Sequence, residues 1–450
     1  MKKITSIIAT LLCAATIGTA SVACAPRDLP EEGRDVLITV AVLNDSSEKE
    51  TISKFINAFK ASQSTIDVKA EYIDAAYYSP VLTDWAGNTL ADVVWTAGDK
   101  HAPLSAAGVF EPLNSYFEKE PGLLDDIYPS LIETTKLNPE EDTMYFVPRD
   151  YNKLVIAYNK DMFDDAGLDY PENDWTWQDF MDTCKALRQA MDENRGNLDS
   201  SFYPLDGYLS WTPAAYTIIK GFGGEYMDEN GQSALVAADG STTAVEAGLE
   251  QIYQLVSNYY AGSDIMGESG LFEAQQAAMR FMSRPAVSEI RGAQLENFDF
   301  VAFPTMPVEN VVGVGCSGYG LNAHSEHKAE AWEFLKFIIS EEGQKAFCET
   351  GNGVPVLQSM RDDASWRDQP VAGLNQEAFV YDGTKDLFLN YYCYADPSLY
   401  SDLDTRFTQL IQGAEQWDPE AGYDGYTDFH TYIVDKNKDI QDLISRAPHW

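Results

Sequence analysis

Apolar patterns of strand length and helix length alternate through the first hundred residues, and nothing else in the chain constrains its fold as strongly. Val36 to Val42 is a continuous apolar run, as a strand buried on both faces requires. Ser47-Glu48-Lys49-Glu50 has the form of a capping box, and Ile52, Phe55, Ile56 and Phe59 follow at helical spacing. Ile66, Val68, Ala70 and Tyr72 alternate as a strand does, and Ala91-Asp92-Val93-Val94-Trp95 supplies another. Strands separated by helices in this order predict a parallel sheet covered by helices. The middle of the chain repeats the pattern. Lys153 to Tyr158 reads as a strand, and Thr176-Trp177-Gln178-Asp179 starts a helix carrying Phe180, Met181, Cys184 and Leu187. Phe298 to Phe303 and Val311 to Val314 read as strands, and Lys328 to Ser340 as a helix with Trp332, Leu335 and Ile339 on one face. The C-terminal part, rich in Tyr, Asp and Trp, reads as helices with long loops. No linker separates the halves, so the expected architecture is α/β in two lobes, with the chain crossing between them more than once.

The N-terminus has the layout of a secretory signal. Met1-Lys2-Lys3 is positive, Ile4 to Ala20 is apolar or small, and Ser21-Val22-Ala23 precedes Cys24. The apolar run is too short for a membrane span. Cys24 behind a small residue resembles the lipobox of bacterial lipoproteins, with Ser21 where that pattern usually has Leu. The expectation is a signal peptide over 1–23, lipidation at Cys24 and a polar tether over 24–35. The chain carries 71 acidic against 31 basic residues, a formal net charge of −40. A surface so acidic repels nucleic acid and anionic headgroups, so no nucleic-acid partner is expected and membrane contact is expected through the lipid anchor only. Beyond Cys13 and Cys24, the cysteines Cys184, Cys316, Cys348 and Cys393 are widely spaced with no C-x-x-C, which excludes zinc-ligand spacing and favours buried free thiols.

Catalytic and cofactor signals are weak. Gly313-Val314-Gly315-Cys316-Ser317-Gly318 matches G-x-G-x-x-G, but no helix pattern opens behind it, as a dinucleotide site needs. His324 and His327 flank a helix start and read as cap residues. No catalytic residue, cofactor or metal is expected. With so many acidic residues a glycosidase-type carboxylate pair stays open, so a secreted glycoside-active enzyme is the rival class.

One ordered set of motifs carries a resemblance. Val147-Pro148-Arg149-Asp150-Tyr151-Asn152-Lys153-Leu154-Val155-Ile156-Ala157-Tyr158-Asn159-Lys160-Asp161 resembles the segment of bacterial extracellular solute-binding proteins in which a Pro precedes a crossing strand ending Tyr-Asn-Lys. Ala166-Gly167-Leu168, Thr176-Trp177-Gln178-Asp179-Phe180, Ala91-Asp92-Val93-Val94, and Gly108 to Leu113 match further landmarks of that family. Gly223-Gly224, Ala277-Ala278-Met279, Ala331 to Phe337 and Gly353-Val354-Pro355 follow in order, and past Pro355 the resemblance fades. The relatives are sugar-binding lipoproteins of ABC importers, similar to maltose-binding protein. The resemblance implies a two-lobed, periplasmic-binding-protein-like (type II) α/β fold, with hinge crossings near Pro148–Asn152, Gly313–Tyr319 and Gly353–Pro355. It places one lobe at 36–148 plus 314–354 and the other at 149–313 plus 355–450. It further implies a monomer outside the cell, lipid-anchored to the outer face of the membrane. The implied role is non-enzymatic: capture of a carbohydrate, expected to be an oligosaccharide, and delivery to ABC importer permease subunits. A peptide, polyamine or metal chelate is the alternative solute.

A neutral sugar presents flat C–H faces and a rim of hydroxyls, so its site needs aromatic platforms and planar polar groups at the carboxyl ends of strands. Asn44 and Asp45 follow the first strand, although Asp45 also suits a helix cap. Trp95 and Thr96 end another strand, with Trp95 divided between core and cleft; Asp99 and Lys100 lie just beyond, where the maltose-binding relative has an acidic–basic pair. Asp150 and Tyr151 follow Arg149 on the first crossing. Trp211 and Tyr216 precede Gly223-Gly224, where relatives place an aromatic wall. Tyr319 sits between two glycines on the second crossing, suited to the cleft or to hinge packing. After Ala277-Ala278-Met279 the relatives commonly have a stacking Trp; here Arg284 is expected to substitute charge-assisted hydrogen bonds, or else to form a surface salt bridge. Trp177 reads as helix-start packing.

Overall fold

The computed structural model describes residues 29–446, apart from 75–76, 99, 138–141, 208, 229, 263–269, 370–372 and 389–396. The leader, Cys24, Asp99 and Cys393 lie outside the described residues. The strands in chain order are β1 Val36–Leu43, β2 Ile66–Ile73, β3 Val93–Ala97, β4 Phe146–Pro148, β5 Asn152–Lys153 and β6 Val155–Asn159. They continue as β7 Tyr203–Asp206, β8 Ala261–Gly262, β9 Ala277–Met282, β10 Phe298–Ala302, β11 Val312–Gly315, β12 Ser317–Leu321 and β13 Asp386–Phe388.

These strands form two five-stranded sheets, ordered β2-β1-β3-β12-β4 and β10-β6-β9-β7-β8, and a small sheet β13-β11-β5. β1 pairs in parallel with β2 and β3, as the alternating pattern predicts, while β12 returns antiparallel between β3 and β4. Ile38, Val40 and Val42 of β1 are fully buried, and Ile52, Phe55 and Phe59 of the helix Ser46–Ser62 pack against the same core. That helix is capped by Asp45, whose backbone is extended and whose side chain accepts from Glu48 N at 2.8 Å. The Ser47 box is therefore inside the helix and not at its start. The box at Thr176 does form: Thr176 and Asp179 exchange side-chain bonds with each other's backbone N–H. Trp177 is buried behind it.

Among the described residues the chain passes between the two large sheets at three places. The first runs from β4 through Arg149–Tyr151 into β5 and β6, so the expected strand over Lys153–Tyr158 is broken at Leu154. The second is β11 followed by β12, two strands where the G-x-G-x-x-G pattern would have needed a helix. The third lies further along than Gly353–Pro355. Val356, Leu357 and Met360 are buried apolar residues, and backbone bonds hold their segment on the first lobe: Tyr128 N to Val356 O at 3.1 Å and Gln358 N to Asp126 O at 2.7 Å. Only afterwards does the chain reach β10, where Phe379 meets Phe300 edge-on at 4.8 Å, then the small sheet through β13, then the second lobe as the helices Pro397–Glu415 and Phe429–Ile444.

The small sheet is tied by buried charge. Lys153 Nζ lies 2.7 Å from Asp386 Oδ1, with both side chains almost wholly buried, and it also donates to the carbonyls of Tyr381 and Asp382. Tyr151 donates to Asp386 Oδ2 at 2.6 Å. Among the described residues Cys184, Cys316 and Cys348 are buried and take part in no disulfide.

Candidate ligand-binding cleft

A cleft between the lobes consists of two adjoining compartments of about 490 and 420 Å³, which share Trp211 and Ser283. In the larger one, Asp45 follows the carboxyl end of β1, as the strand-end rule requires, and Trp95 comes from the middle of β3. The second lobe faces them with Asp206, Arg280, Phe281, Ser283, Ser288 and Glu289. The smaller compartment is floored by the hinge: Asn152, Leu154, Gly313 to Ser317 and Leu387 meet Lys100 on one side and Pro213 and Tyr216 on the other.

Five of the expected site residues line this cleft. Trp95 packs edge-on against Tyr77 at 5.3 Å, and Tyr77 donates to the Trp95 carbonyl at 2.9 Å, which fixes the strand end. Trp211 is half-buried at the start of the helix Thr212–Gly221, where Pro213 sets the helical turn. Tyr216, in that same helix, donates its hydroxyl to Glu225. Lys100 reaches across to Asp404 of the helix Pro397–Glu415, at 3.1 Å. Asp45 lines the larger compartment while serving as the helix cap.

Six others point elsewhere. Asn44 is exposed and donates to Asp74 at 2.5 Å, outside both compartments. Thr96 is fully buried and its hydroxyl donates to the Ala97 carbonyl. Asp150 is buried between Arg149 Nη2 at 2.8 Å and Ser317 N at 2.6 Å, so it braces the crossing. Tyr151 stacks on Tyr128 and bonds to Asp386. Tyr319 lies wholly inside the first lobe, edge-on to Phe55. Its flanking glycines answer a packing need, because a Cβ at Gly318 or Gly320 would come within 2.5 Å of the Phe146 or Phe110 ring. Arg284 is fully buried, donating to the carbonyls of Gly351 (3.1 Å), Trp366 (3.1 Å) and Gln369 (2.7 Å) and to the Gln376 side chain. It bolts the turn Arg284–Ala286 to the C-terminal segment and neither meets the cleft nor forms a surface salt bridge.

The guanidinium that does reach the cleft is Arg280, four residues earlier, paired with Glu273 and with Glu289 at 2.8 Å. Arg280 and Asp206 are register partners on β9 and β7. The signal for Asp206 was its place at the end of a short strand. Asn152, on the hinge floor, was passed over as a crossing residue; its Oδ1 is buried without a hydrogen-bond partner among the described residues.

Behind Trp211, the helix Pro397–Glu415 ends in a buried carboxylate. Burial pushes Glu415 up to about 7, opposed by the Ser210 backbone N–H. Its ordinary value is 4.5, so the native chain holds this proton where the unfolded chain has released it. The contribution is complete below that ordinary value and is lost as pH rises through about 7. Glu415→Gln is therefore expected to raise the melting temperature more at pH ~8 than at pH ~5, with a differential of about 1–3 kcal/mol in denaturant titrations. Equal effects at both pH values would contradict this.

No group of three or more His, Cys, Asp or Glu side chains able to hold a metal occurs among the described residues. His324, one of the histidines weighed above, stacks on Trp85 at 4.9 Å. No helix among the described residues is long and apolar enough to cross a membrane.

Comparison with known proteins agrees with this geometry. The chain is 21% identical over 373 residues to the galactooligosaccharide-binding protein of Bacillus subtilis (strain 168), covering 78% of this chain and 81% of that one. It is 20% identical over 364 residues to the multiple sugar-binding protein of Streptococcus mutans, with the same coverage. Among solved structures, an ABC substrate-binding protein from Listeria monocytogenes in complex with cycloalternan superposes with a TM-score of 0.74 at 17% identity, over 91% of this chain and 99% of that one. The cyclic α-maltosyl-1,6-maltose binding protein of Arthrobacter globiformis gives 0.71 at 18% identity, over 92% and 100%. These likenesses establish the type II periplasmic-binding-protein fold. The family profile described as bacterial extracellular solute-binding protein matches residues 45–345, which holds both cleft tryptophans and two of the three crossings, and the chain belongs to that family.

Proposed function

We propose that this protein captures a carbohydrate, an oligosaccharide, between its lobes and delivers it to the permease of an ABC importer. The observation that carries this reading is Trp211, an aromatic side chain shared by both compartments of the interlobe cleft. An aromatic ring there supplies the flat apolar platform on which the C–H face of a sugar packs. The names of the relatives point the same way. Binding without turnover, a monomeric state, and attachment to the outer face of the membrane through a lipid on Cys24 belong to the same proposal.

A thermal-shift screen over oligosaccharides tests it. A ligand that binds only the folded protein adds about 2.7 kcal/mol at a hundred times its Kd, so a true ligand raises the melting temperature progressively with concentration. The sugar is expected to be recovered intact. Release of a shorter sugar by the purified protein would favour a glycoside-active enzyme instead.

A further inference from the structure

A further cavity, of about 790 Å³, lies on the second lobe and shares no residue with either compartment of the interlobe cleft. That volume is within the range of about 300–1,000 Å³ usual for ligand pockets. The cavity is a groove between the helices Trp177–Asp192 and Thr243–Ser257, with Thr305 to Pro307, just past β10, completing its wall. In a chain of net charge −40 its lining is neutral: the charged side chains are Asp182 and Lys185, one of each sign.

Four carboxamides line it, Gln178, Gln251, Gln254 and Asn258, and the last three recur at the spacing of one helix face. Their free ends are fixed by chemistry. Trp177 Nε1 donates to Gln251 Oε1 at 2.9 Å, and an indole N–H can only donate, so Gln251 keeps its NH₂ group for another partner. Asn258 Nδ2 donates to the Gln254 carbonyl at 2.9 Å, and Gln254 Nε2 donates to Glu250 Oε1 at 3.5 Å. Both of those oxygens only accept, so Asn258 Oδ1 and Gln254 Oε1 remain as acceptors. Phe222 and Tyr260 are half-buried in the same groove, and Phe222 meets the buried Trp177 ring edge-on at 6.3 Å. Donor and acceptor amides beside ring carbon, with no net charge, complement the hydroxyl rim and C–H face of a neutral sugar. An apolar segment of a partner would leave the amides unpaired.

We infer that this groove is a second saccharide site, binding a neutral sugar chain outside the interlobe cleft. The inference goes beyond the cleft reading and does not depend on it.

Methyl NMR of the full chain with isotope-labelled methionine tests it, because methionines mark both sites. Met181 and Met306 line the groove, and Met282 lines the cleft. Each signal is assigned by replacing that methionine with leucine, and the probes are maltotetraose, cellotetraose and a capped tetra-alanine. At least one glucan is expected to shift Met181 and Met306 with half-saturation at about 1–10 mM, the strength of a few neutral hydrogen bonds and a ring contact. Trp211→Ala should leave that curve unchanged. Gln254→Ala with Asn258→Ala should move it to about fivefold higher concentration or more, while the Met282 response and the melting temperature stay as in the parent. Should the double variant melt early, Gln254→Ala alone is expected to move the curve about twofold. If only Met181 and Met306 respond, the inference stands and the cleft does not take these two glucans. Groove signals that stay still up to about 10 mM of both glucans overturn it. A Met181 curve that follows Met282 through Trp211→Ala also overturns it, because the shift then originates in the cleft. A stronger response to the capped peptide than to either glucan assigns the groove to a protein partner and overturns it as well.

Discussion

Replacing Arg149 by methionine is expected to lower the unfolding free energy by about 3–5 kcal/mol, the cost of breaking a buried ion pair from one side. Arg149 is 4% exposed. Its Nη2 donates to Glu48 Oε1 at 2.9 Å and to Asp150 Oδ2 at 2.8 Å, while Nη1 takes the other Glu48 oxygen. The guanidinium lies 5.8 Å from the Tyr319 ring centroid and 5.6 Å from that of Phe347. Methionine fills much of the volume but strands two carboxylates in a nearly dry site. Burial already pushes Glu48 above the usual carboxylate range, with Arg149 opposing it, so removal of the guanidinium raises it further. The deficit in a urea titration is accordingly expected to shrink as pH falls and Glu48 takes up a proton. The double variant Arg149→Met with Glu48→Gln should recover part of the loss. A single variant as stable as the parent would show that the pair contributes nothing.

Trp211→Ala is expected to weaken ligand binding by about thirtyfold or more, the loss of about 2 kcal/mol or more that marks a buried aromatic anchor. The fold should survive. Trp211 is half-buried, and although it occupies the cap position of the helix Thr212–Gly221, its side chain makes no capping bond. Calorimetric titration alongside a melting curve separates the outcomes: a large fall in melting temperature would assign Trp211 to the core, and unchanged affinity would remove it from the site.

The elements legible in the sequence were those whose cause is local. β1, the helix behind it and β2 follow from apolar spacing over a few residues, and Trp211 stood out because its neighbours are polar. Three other site candidates defeated sequence reading for a different reason. Asp150, Tyr151 and Arg284 have the right chemistry near the right place, but their directions are set by partners far along the chain. Tyr151 turns to Asp386, and Arg284 to Gln369 and Gln376. Asp150 and Tyr151 are thereby drawn into the hinge, while their neighbour Asn152 faces the cleft. Arg280 was within reach of period-two counting along Ala277–Met282; its register opposite Asp206 was not, since pairing of β9 with β7 is non-local.

The strand β13 gives the end of the chain a meaning that its position outside the family profile hides. The profile stops at residue 345, yet Asp386 of β13 supplies the acceptors for both Lys153 and Tyr151 and completes the small sheet on which the lobes are joined. A shortened version ending where the recognised family region ends would keep both cleft tryptophans and lose an edge of the joint between the walls that hold them. The tail is thus a structural keystone, and exchanging it between relatives changes the joint while leaving Trp95 and Trp211 in place.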